Sequence, residues 1–572
     1  MKPELARKKT PGGGKMESSN GNILVRLGDG RSQEFPVSTR VGEVLKTDTS
    51  PDGLAYIGAL VNNDDVSLSF ALEVNCAVVP ITLRNQAGYR IYRRSLCFLL
   101  AKVVRERFPE VRFSIEHSIG TGFYCTFERE TSAITEAEIT TIENELHALV
   151  EKDLPIVRSK LSYVDALKQF EAEAQRDKYN LLRFRNPSII VVYNCGDFSD
   201  LAHGVMASRT GMLPFFALYP YHNGFVLQFP DREDPHHLPA FTDQPQLFSI
   251  FNEHKRWGRI LGLSTVGQLN EKIANDEIGD FIQISEALHE KKIAEIADKI
   301  SAHADEVRFV FIAGPSSAGK TTLSKRLMVQ LRVNGMLPAT VSIDDYFLDR
   351  KDTPRDENGD LNFEHVEAID LPFLNDHLLQ LSLGREVEIP RFNFNTGARE
   401  FNGNTLQLQR GQTLILEGIH CLNPRLTEAL PRECQYKVYI SALGQLNLDR
   451  HNRISTTDSR LLRRMIRDHE FRGHSALRTL QMWASVRRGE KEWIFPNQPH
   501  ADIMFNSALE YEMAILKPLA EPLLVEVKPD QPEYANARRL LEFLGYFLAA
   551  SADLVPASSI LREYIGESSF EY

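Results

Sequence analysis

Residues 308–322, RFVFIAGPSSAGKTT, decide the fold of this chain. The run 309–312 combines β-branched and aromatic residues, which is typical of a buried strand. It leads into residues 314–321, which fit the pattern G-x-x-x-x-G-K-[ST] at every fixed position. Residues 321–335 then carry leucines at helical spacing and end at a glycine. The sequence therefore predicts a phosphate-binding loop between a strand and a helix.

The residue types explain how this loop would hold a nucleotide. Glycines let backbone N–H groups turn inward, and the helix N-terminus adds positive partial charge. Lys320 is expected to reach the β- and γ-phosphates, and the Thr321 hydroxyl to ligate Mg²⁺. The alternative is a Gly-Ser surface loop that matches by chance, which the flanking strand and helix disfavour. The predicted nucleotide-binding residues of the loop are Gly314, Pro315, Ser316, Ser317, Ala318, Gly319, Lys320, Thr321 and Thr322.

Length and composition limit the other possibilities. The 572 residues suggest several domains, and the net charge of −11 argues against a dedicated nucleic-acid binder. The six cysteines are scattered without a C-x-x-C pair, so neither a disulfide framework nor a Cys-rich zinc site is indicated. There is no apolar run long enough for a membrane span, and we expect a cytoplasmic protein. Residues 1–20 are basic and Gly-rich, which predicts a disordered tail, or alternatively a weak electrostatic anchor.

The N-terminal half is predicted to hold two small domains. Residues 22–37 alternate around a Gly-Asp-Gly turn, which predicts a hairpin, and a short helix and further strands follow. The pattern over residues 21–85 is similar to the TGS domain, found at the N-terminus of threonyl-tRNA synthetases and in some GTPases. Residues 86–250 resemble the second domain of threonyl-tRNA synthetase, which edits mischarged tRNA in that enzyme. The resemblance implies a β-grasp module, an α+β domain and a possible RNA contact by this half.

This half departs from the family at the editing site. The resemblance places an H-x-x-x-H helix there, but the equivalent residues 92–96 read Tyr-Arg-Arg-Ser-Leu. Cys195 and His203 remain in a later segment, and a structural role is favoured for both. We therefore assign no reaction to this half. Residues 251–305 are charged and helical, which predicts a connector packed on the following domain rather than a coiled coil.

Three further segments carry candidate chemistry. Residues 339–343 alternate and predict a strand that delivers Asp344 and Asp345 at its carboxyl end, where open α/β sheets bind ligands. A carboxylate beside the γ-phosphate can deprotonate an attacking hydroxyl, and the alternative is a turn or cap acid. A third apolar strand ends in Glu417, where Mg²⁺ needs charge. Residues 458–468 predict a helix with four arginines, either a solvated face or a lid that neutralises transition-state charge.

Together, these segments resemble the uridine kinase and phosphoribulokinase family over about residues 306–510. The resemblance implies that Asp344 is the general base, acting with Lys320, and that Thr321 and Glu417 hold the metal. Gly397 stands where uridine kinases commonly carry a base-reading His, and their Gln after the lid has no clear counterpart. The resemblance therefore extends to the residues that bind and transfer phosphate, but not to those that would select uracil. The resemblance assigns substrate binding to Tyr346, Glu364, His365, Phe392 and Arg460, and nucleotide binding to Arg463, Arg464 and Arg467.

The whole arrangement resembles the long bacterial-type uridine kinase-like nucleoside kinases, including the tail after residue 554. We predict a P-loop kinase domain over residues 306–530, with a parallel sheet flanked by helices, and a helical extension over residues 531–572. An ATP- and Mg²⁺-dependent nucleoside kinase that forms a homo-oligomer is the first hypothesis. A kinase of a sugar phosphate and an RNA- or ribosome-associated ATP-binding factor are alternatives. A GTPase is disfavoured, because no [NT]-K-x-D motif follows the P-loop, although residues 356–359 formally match D-x-x-G.

Overall fold

A computed structural model describes residues 21–571 apart from residues 46, 48, 130–132, 202, 357–358 and 395. The tail predicted for residues 1–20 lies outside the described residues. Within the described part, no helix combines the length and the apolar character needed to cross a membrane. Several α/β units follow one another along the chain, in agreement with the multidomain α/β fold that the sequence predicts.

The first unit is a five-stranded sheet with one short helix. Strand β1 lies between β2 and β5, antiparallel to β2 and parallel to β5, which gives the order β2-β1-β5-β3-β4. Val25, Val44 and Val78 are fully buried between the sheet and the helix. This arrangement is the β-grasp module that the sequence predicts. Its elements are β1 (Asn22–Leu27), β2 (Ser32–Pro36), α1 (Val41–Leu45), β3 (Gly58–Val61), β4 (Asp64–Val66) and β5 (Cys76–Ile81).

The second unit packs two antiparallel sheets around a long helix. The sheets have the orders β11-β12-β7-β6 and β10-β9-β8. Helix α2 supplies Leu96, Leu99 and Val103 to the buried core between them. The elements are α2 (Gln86–Arg107), β6 (Arg112–Ile119), β7 (Gly122–Glu128), α3 (Glu136–Glu151), β8 (Val157–Ser162), α4 (Tyr163–Ala172), α5 (Arg176–Leu182), β9 (Ile189–Cys195), β10 (Phe198–Leu201), β11 (Ala217–Tyr221) and β12 (Gly224–Gln228).

Three helices connect this unit to the C-terminal half: α6 (Pro245–Ile260), α7 (Val266–Ala274) and α8 (Ile278–Ser301). The first begins at Pro245, six residues before the predicted boundary, at a helix start where the missing proline N–H is harmless. Helix α8 buries a row of isoleucines against the helix that follows the P-loop. The connector is thus part of the wall that supports the phosphate-binding loop.

The C-terminal half is built on a five-stranded parallel sheet of order β14-β19-β13-β20-β23. Strand β13 is buried along its whole length, as expected where helices cover both faces. The elements are β13 (Phe309–Ala313), α9 (Lys320–Val333), β14 (Leu337–Ser342), α10 (Leu371–Ser382), β15 (Val387–Glu388), β16 (Arg391–Asn393), β17 (Ala398–Glu400), β18 (Thr405–Leu406), β19 (Gln412–Glu417), β20 (Gln435–Ser441), β21 (Asn447–Asp449), β22 (Asn452–Arg453), α11 (Thr456–Arg472), α12 (Ala476–Gly489), β23 (Ile503–Asn506), α13 (Glu512–Val525), α14 (Tyr534–Leu544) and α15 (Arg562–Ile565).

The hairpin β21–β22 joins the two halves through buried polar contacts. The Asn447 side chain donates to the Ile115 carbonyl over 2.9 Å. Lys178 Nζ and His451 Nδ1 lie 2.9 Å and 2.6 Å from the carboxylate of Asp200. Buried ionic groups are tolerated where each is paired, as here. The interface therefore fixes the hairpin, and the start of α11 after it, against the second unit.

Cys195 and His203, which remain in the segment that resembles the editing site, lie in this region. Cys195 is fully buried, and burial raises the pKa of its thiol. His203 Nε2 lies 3.0 Å from Asp449 Oδ2, in the hairpin. The structure thus gives His203 a partner in the interface between the halves.

Candidate active site

The P-loop spans the carboxyl end of β13 and the start of α9. Ser317 and Gly319 adopt left-handed backbone conformations, with φ of 58° and 92°. A Cβ atom at Gly314 would lie 2.0 Å from the Ile440 carbonyl oxygen, so no side chain fits there. Lys320 Nζ donates to the carbonyl oxygens of Gly314 and Pro315 over 3.1 Å and 3.4 Å. The Lys320 side chain therefore folds back onto the P-loop.

Two of the predicted acids meet the loop at the same edge of the sheet. Asp344 lies in the 3-10 turn Ile343–Tyr346 directly after β14, and Glu417 ends β19. The Thr321 hydroxyl donates to Glu417 Oε1 over 3.3 Å. Burial raises the pKa of Glu417 to about 7, and the charge of Asp344 adds to this shift. Burial also raises the pKa of Asp344, while Lys320 opposes the rise.

These oxygens fit a magnesium ion that also contacts phosphates. Among the described residues there is no cluster of three His, Cys, Asp or Glu side chains that would hold a metal ion alone. Mg²⁺ differs in this respect, because one or two carboxylates, substrate phosphates and water commonly complete its shell. The Thr321 hydroxyl and the Glu417 carboxylate supply such a partial set, and a cation would relieve the repulsion between Glu417 and Asp344.

Glu364 is a buried acid with an unused acceptor. Its Oε2 atom is buried and has no hydrogen-bond partner among the described residues. Burial raises the pKa of Glu364 to about 7, although the Arg464 guanidinium opposes the shift. Helix α12 ends against it, because a Cβ at Gly489 would lie 2.2 Å from the Glu364 Cβ. An unpaired buried acceptor is costly, and a donor on a ligand would satisfy it.

Glu364 is expected to make the free energy of unfolding depend on pH. Its pKa is about 7 in the folded chain against an ordinary value of 4.5, so between these values the folded state holds a proton that the unfolded state has released. Stability therefore falls as pH rises through this window. Between pH 4.5 and about 7, we expect the free energy of unfolding, measured with urea, to fall less steeply for Glu364→Gln than for wild type. Glu367→Gln, an exposed neighbour, should keep the wild-type slope, and equal slopes for all three would contradict the assignment.

The arginine helix α11 packs inside the protein. Arg460, Arg463 and Arg464 are buried, so the interpretation as a solvated face is wrong. The interior accepts these charges because each guanidinium has an anionic or polar partner. Arg460 pairs with Glu490 over 2.8 Å and donates to the Ser316 carbonyl over 3.3 Å. Arg464 donates to the Ser316 hydroxyl over 2.9 Å. Two of the four arginines thus contact the P-loop directly.

The other two arginines contact the loop through intermediates. Arg463 forms a buried ion pair with Glu512, and its guanidinium also donates to the Ser507 carbonyl over 2.9 Å. The Ser507 hydroxyl in turn donates to the Ala318 carbonyl over 2.5 Å. Arg467 lies 3.6 Å from Glu563, near the end of the chain. Arg463 is therefore linked to the P-loop through Ser507.

Two carboxylates that sequence reasoning missed accept hydrogen bonds from P-loop N–H groups. Glu490 Oε1 accepts from the Ser316 N–H over 3.2 Å. Glu563 Oε2 accepts from the Thr322 N–H and hydroxyl over 3.3 Å and 2.7 Å. Glu490 starts a π-helical turn, a local feature that has no sequence motif. Glu563 belongs to the tail after residue 554, where the resemblance indicates a long-form segment but no contact.

The C-terminal tail closes over the loop. A Cβ at Gly319 would lie 2.6 Å from Ile560 Cγ2, and both Ile560 and Tyr564 are fully buried. The Tyr564 ring lies 5.3 Å from the Arg463 guanidinium. Burial raises the pKa of the Tyr564 hydroxyl well above its usual range. The tail is therefore a part of the site.

Two of the remaining predicted substrate residues, Tyr346 and Phe392, lie beside Asp345. The Tyr346 hydroxyl is buried 3.1 Å from His377 Nδ1. The N–H of Phe392 donates to Asp345 Oδ1 over 3.2 Å, and the Phe392 ring is buried. The His365 ring, which caps a short turn, has its centroid 4.4 Å from that of Trp493.

Gly397, which stands where uridine kinases commonly carry a histidine, leaves room for an arginine. Its φ of 71° is left-handed, and a Cβ there would lie 2.2 Å from Arg350 Cδ. The Arg350 N–H donates to the Gly397 carbonyl over 2.9 Å. A histidine therefore cannot occupy this position without displacing Arg350.

A family model matches the segment that carries this site. Residues 309–514 match the model described as the Phosphoribulokinase / Uridine kinase family. This segment is a P-loop kinase domain of that family. The solved structure described as a "Possible Uridine Kinase" from Bacillus stearothermophilus is 18% identical, covers 38% of this chain and 98% of its own, and has a TM-score of 0.27. The P-loop, the acids and helix α11 described above all belong to this kinase domain.

The N-terminal region matches another class of protein. The threonine–tRNA ligase of Desulforamulus reducens is 31% identical over 192 residues, which cover 33% of this chain and 30% of the ligase. That of Coxiella burnetii is 32% identical over 198 residues, covering 34% of this chain and 30% of the ligase. The chain thus spans about 30% of the length of these relatives. The resemblance to threonyl-tRNA synthetase over this region is confirmed.

Proposed function

We propose that this chain is an ATP-dependent nucleoside kinase that transfers the γ-phosphate of ATP to the 5′-hydroxyl of a nucleoside. The observation that carries the proposal is the unpartnered Oε2 of Glu364, buried near Asp344 and Lys320. A ribose hydroxyl would donate to this atom and so place the acceptor beside the phosphate-binding loop. The matched kinase family supports phosphoryl transfer, while the nucleoside acceptor is our own inference.

The mechanism follows from the groups at the sheet edge. Backbone N–H groups of the P-loop and Lys320 would hold the triphosphate, with Lys320 leaving the carbonyl oxygens it now contacts. Asp344 would accept the proton of the attacking hydroxyl as the oxygen approaches the γ-phosphorus in line. Arg464 and Arg467 would balance charge on the transferred group. Mg²⁺, bound to Thr321 and Glu417, would supply further charge neutralisation at the phosphates.

The direct test is ATP consumption by the full chain against a panel of nucleosides and sugar phosphates. Lys320→Ala serves as the blank, because it removes the positive charge that the phosphates need. Turnover with one or more nucleosides, absent from the blank, would support the proposal. Turnover with sugar phosphates alone would overturn the nucleoside assignment but keep the kinase. If no compound in the panel is phosphorylated, an RNA- or ribosome-associated ATP-binding factor becomes the favoured function. Binding of tRNA and of ribosomes would then be measured.

A kinase of a phosphorylated acceptor is the second candidate. It is favoured by Arg350, whose side chain lies against Gly397 where uridine kinases read the base. A guanidinium suits a phosphate better than it suits a neutral base. Under this alternative, Arg350→Gln would raise KM for the phosphorylated acceptor and leave KM for ATP unchanged.

Glu563 is expected to weaken ATP binding. Its carboxylate accepts hydrogen bonds at the N-terminus of α9, where a phosphate would bind, and adds a like charge beside the triphosphate. We expect Glu563→Gln to lower the Kd for ATP about tenfold, which corresponds to about 1.4 kcal/mol. Calorimetric titration with ATP would measure this. Glu567→Gln, an exposed acid of the same tail, is the control and should leave Kd unchanged. Weaker ATP binding by Glu563→Gln would show that the carboxylate assists the nucleotide.

A further inference from the structure

A second cavity lies between the two halves of the chain, outside the kinase site. Its volume is about 1360 Å³, and none of its lining residues belongs to the P-loop or to the acids around it. Its walls come from both halves: β4, α2 and β9 on one side, and the hairpin β21–β22, the start of α11 and α14 on the other. The kinase mechanism uses none of these residues.

Arginines dominate the inner wall of this cavity. Arg90, Arg93 and Arg94 come from α2, Arg453 from β22 and Arg539 from α14. Two carboxylates offset part of their charge, since Asp65 lies 3.3 Å from Arg90 and Asp458 lies 2.7 Å from Arg539. Among the described residues, no carboxylate lies within 4.0 Å of the guanidiniums of Arg93, Arg94 and Arg453. Positive charge is therefore in excess here, in a chain whose net charge is −11.

Three of these guanidiniums have a buried Nε atom without an acceptor, and one of the three, that of Arg539, is already paired with Asp458. The Nε atoms of Arg93 and Arg453 are buried and have no hydrogen-bond partner in the described part of the chain. Both guanidiniums lie over the ring of Phe123, 4.8 Å and 4.9 Å from its centroid. Burial, and then the charge of Arg93, lowers the pKa of Arg453 to about 10. Like charges held this close are unfavourable unless an anion joins them.

The backbone is shaped to admit Arg94, the third arginine without a carboxylate partner. Gly204 has a φ of 127°, and a Cβ there would lie 2.7 Å from Arg94 Nη1. The same nitrogen donates to the Val205 carbonyl over 2.7 Å. Any other residue at position 204 would push the guanidinium away from the wall. The arginine is thus held in one place, as a preformed binding group requires.

The cavity offers surfaces for a ring as well as for phosphates. Guanidiniums bind phosphate oxygens through paired N–H donors. The volume exceeds what inorganic phosphate would fill, and ligand cavities commonly measure about 300–1,000 Å³. Tyr193 and Tyr546 lie on the same walls, and the Arg185 guanidinium stacks 4.0 Å from the Tyr546 ring. Planar side chains of this kind pack against planar ligands.

We propose that this cavity is a second ligand site, which binds a mononucleotide with its phosphate on Arg93, Arg94 and Arg453. Excess guanidinium charge selects the phosphate, and the aromatic side chains accommodate the base. The helix that carries Arg93 and Arg94 is the one that would carry the editing histidines in the synthetase resemblance. The same position in the fold therefore holds a different chemistry here.

The test uses the full chain with Lys320→Ala, so that the P-loop does not contribute. Calorimetric titrations with AMP and UMP are expected to show binding that Arg93→Gln or Arg453→Gln weakens at least tenfold. Arg105→Gln, on the last turn of α2 and paired with Glu173, is the control and should leave the Kd unchanged. Unchanged circular dichroism spectra would verify that each variant is folded.

Three results would overturn the proposal. The first is the absence of binding by either nucleotide in the Lys320→Ala protein. The second is binding that the Arg93 and Arg453 variants leave unchanged, which would locate the ligand elsewhere. The third is a different ligand. If inorganic phosphate binds as tightly as the nucleotides, or if a short RNA binds and the nucleotides do not, a mononucleotide is not the ligand of this cavity.

Discussion

Asp344→Asn is expected to lower kcat about a hundredfold to ten-thousandfold while leaving the Kd for ATP nearly unchanged. Asp344 lies at the carboxyl end of β14, at the same sheet edge as the P-loop. Burial raises the pKa of its carboxyl, so it is a better base than an exposed aspartate. Asparagine keeps the shape of the side chain but cannot take the proton of the attacking hydroxyl. Steady-state kinetics on the best acceptor, with calorimetric ATP titrations, would measure both quantities.

Asp345→Asn is the matched control for this prediction. Its Oδ1 accepts the Phe392 N–H over 3.2 Å, and an asparagine oxygen can accept the same bond. We therefore expect a much smaller loss of kcat. Loss of ATP binding by Asp344→Asn would instead make Asp344 a metal ligand or a structural group. Equal losses of kcat in the two variants would contradict the assignment of the base to Asp344.

The P-loop and the parallel sheet could be predicted because local sequence decides them. The apolar strand, the two glycines and the helix after Lys320 each have one favourable conformation, and these agree. Asp344 and Glu417 were predictable as a pair because parallel strands end at the same edge of a sheet. The β-grasp and synthetase-like regions were predictable from resemblance, since their strands and turns follow familiar spacing.

The contacts that close the site could not be predicted in this way. Glu490 lies 174 residues from Ser316, and Glu563 lies 241 residues from Thr322. Neither acid stands in a motif, and which acid reaches a helix N-terminus depends on how the last helices pack. Helix α11 illustrates the same limit, because its arginines look solvent-exposed until Glu490 and Glu512 are seen beside them.

Arg463→Met is expected to reduce the free energy of unfolding by about 3–5 kcal/mol. The resemblance assigns Arg463 to the nucleotide, but the structure buries its guanidinium in an ion pair with Glu512, also buried. Methionine fills a similar volume without charge, so the carboxylate of Glu512 would remain in the interior without its partner. Burial already raises the pKa of Glu512 despite the arginine. Urea unfolding at neutral pH would measure the loss.

A second variant separates the ion pair from the nucleotide. Because most of the loss comes from the unpaired charge, Arg463→Met combined with Glu512→Leu is expected to regain much of the stability. Arg472→Met removes a half-exposed arginine from the same helix and should cost about 1 kcal/mol or less. If Arg463→Met instead has wild-type stability but binds ATP more weakly, the prediction is wrong. The Arg463 guanidinium would then bind the nucleotide in solution rather than pair with Glu512.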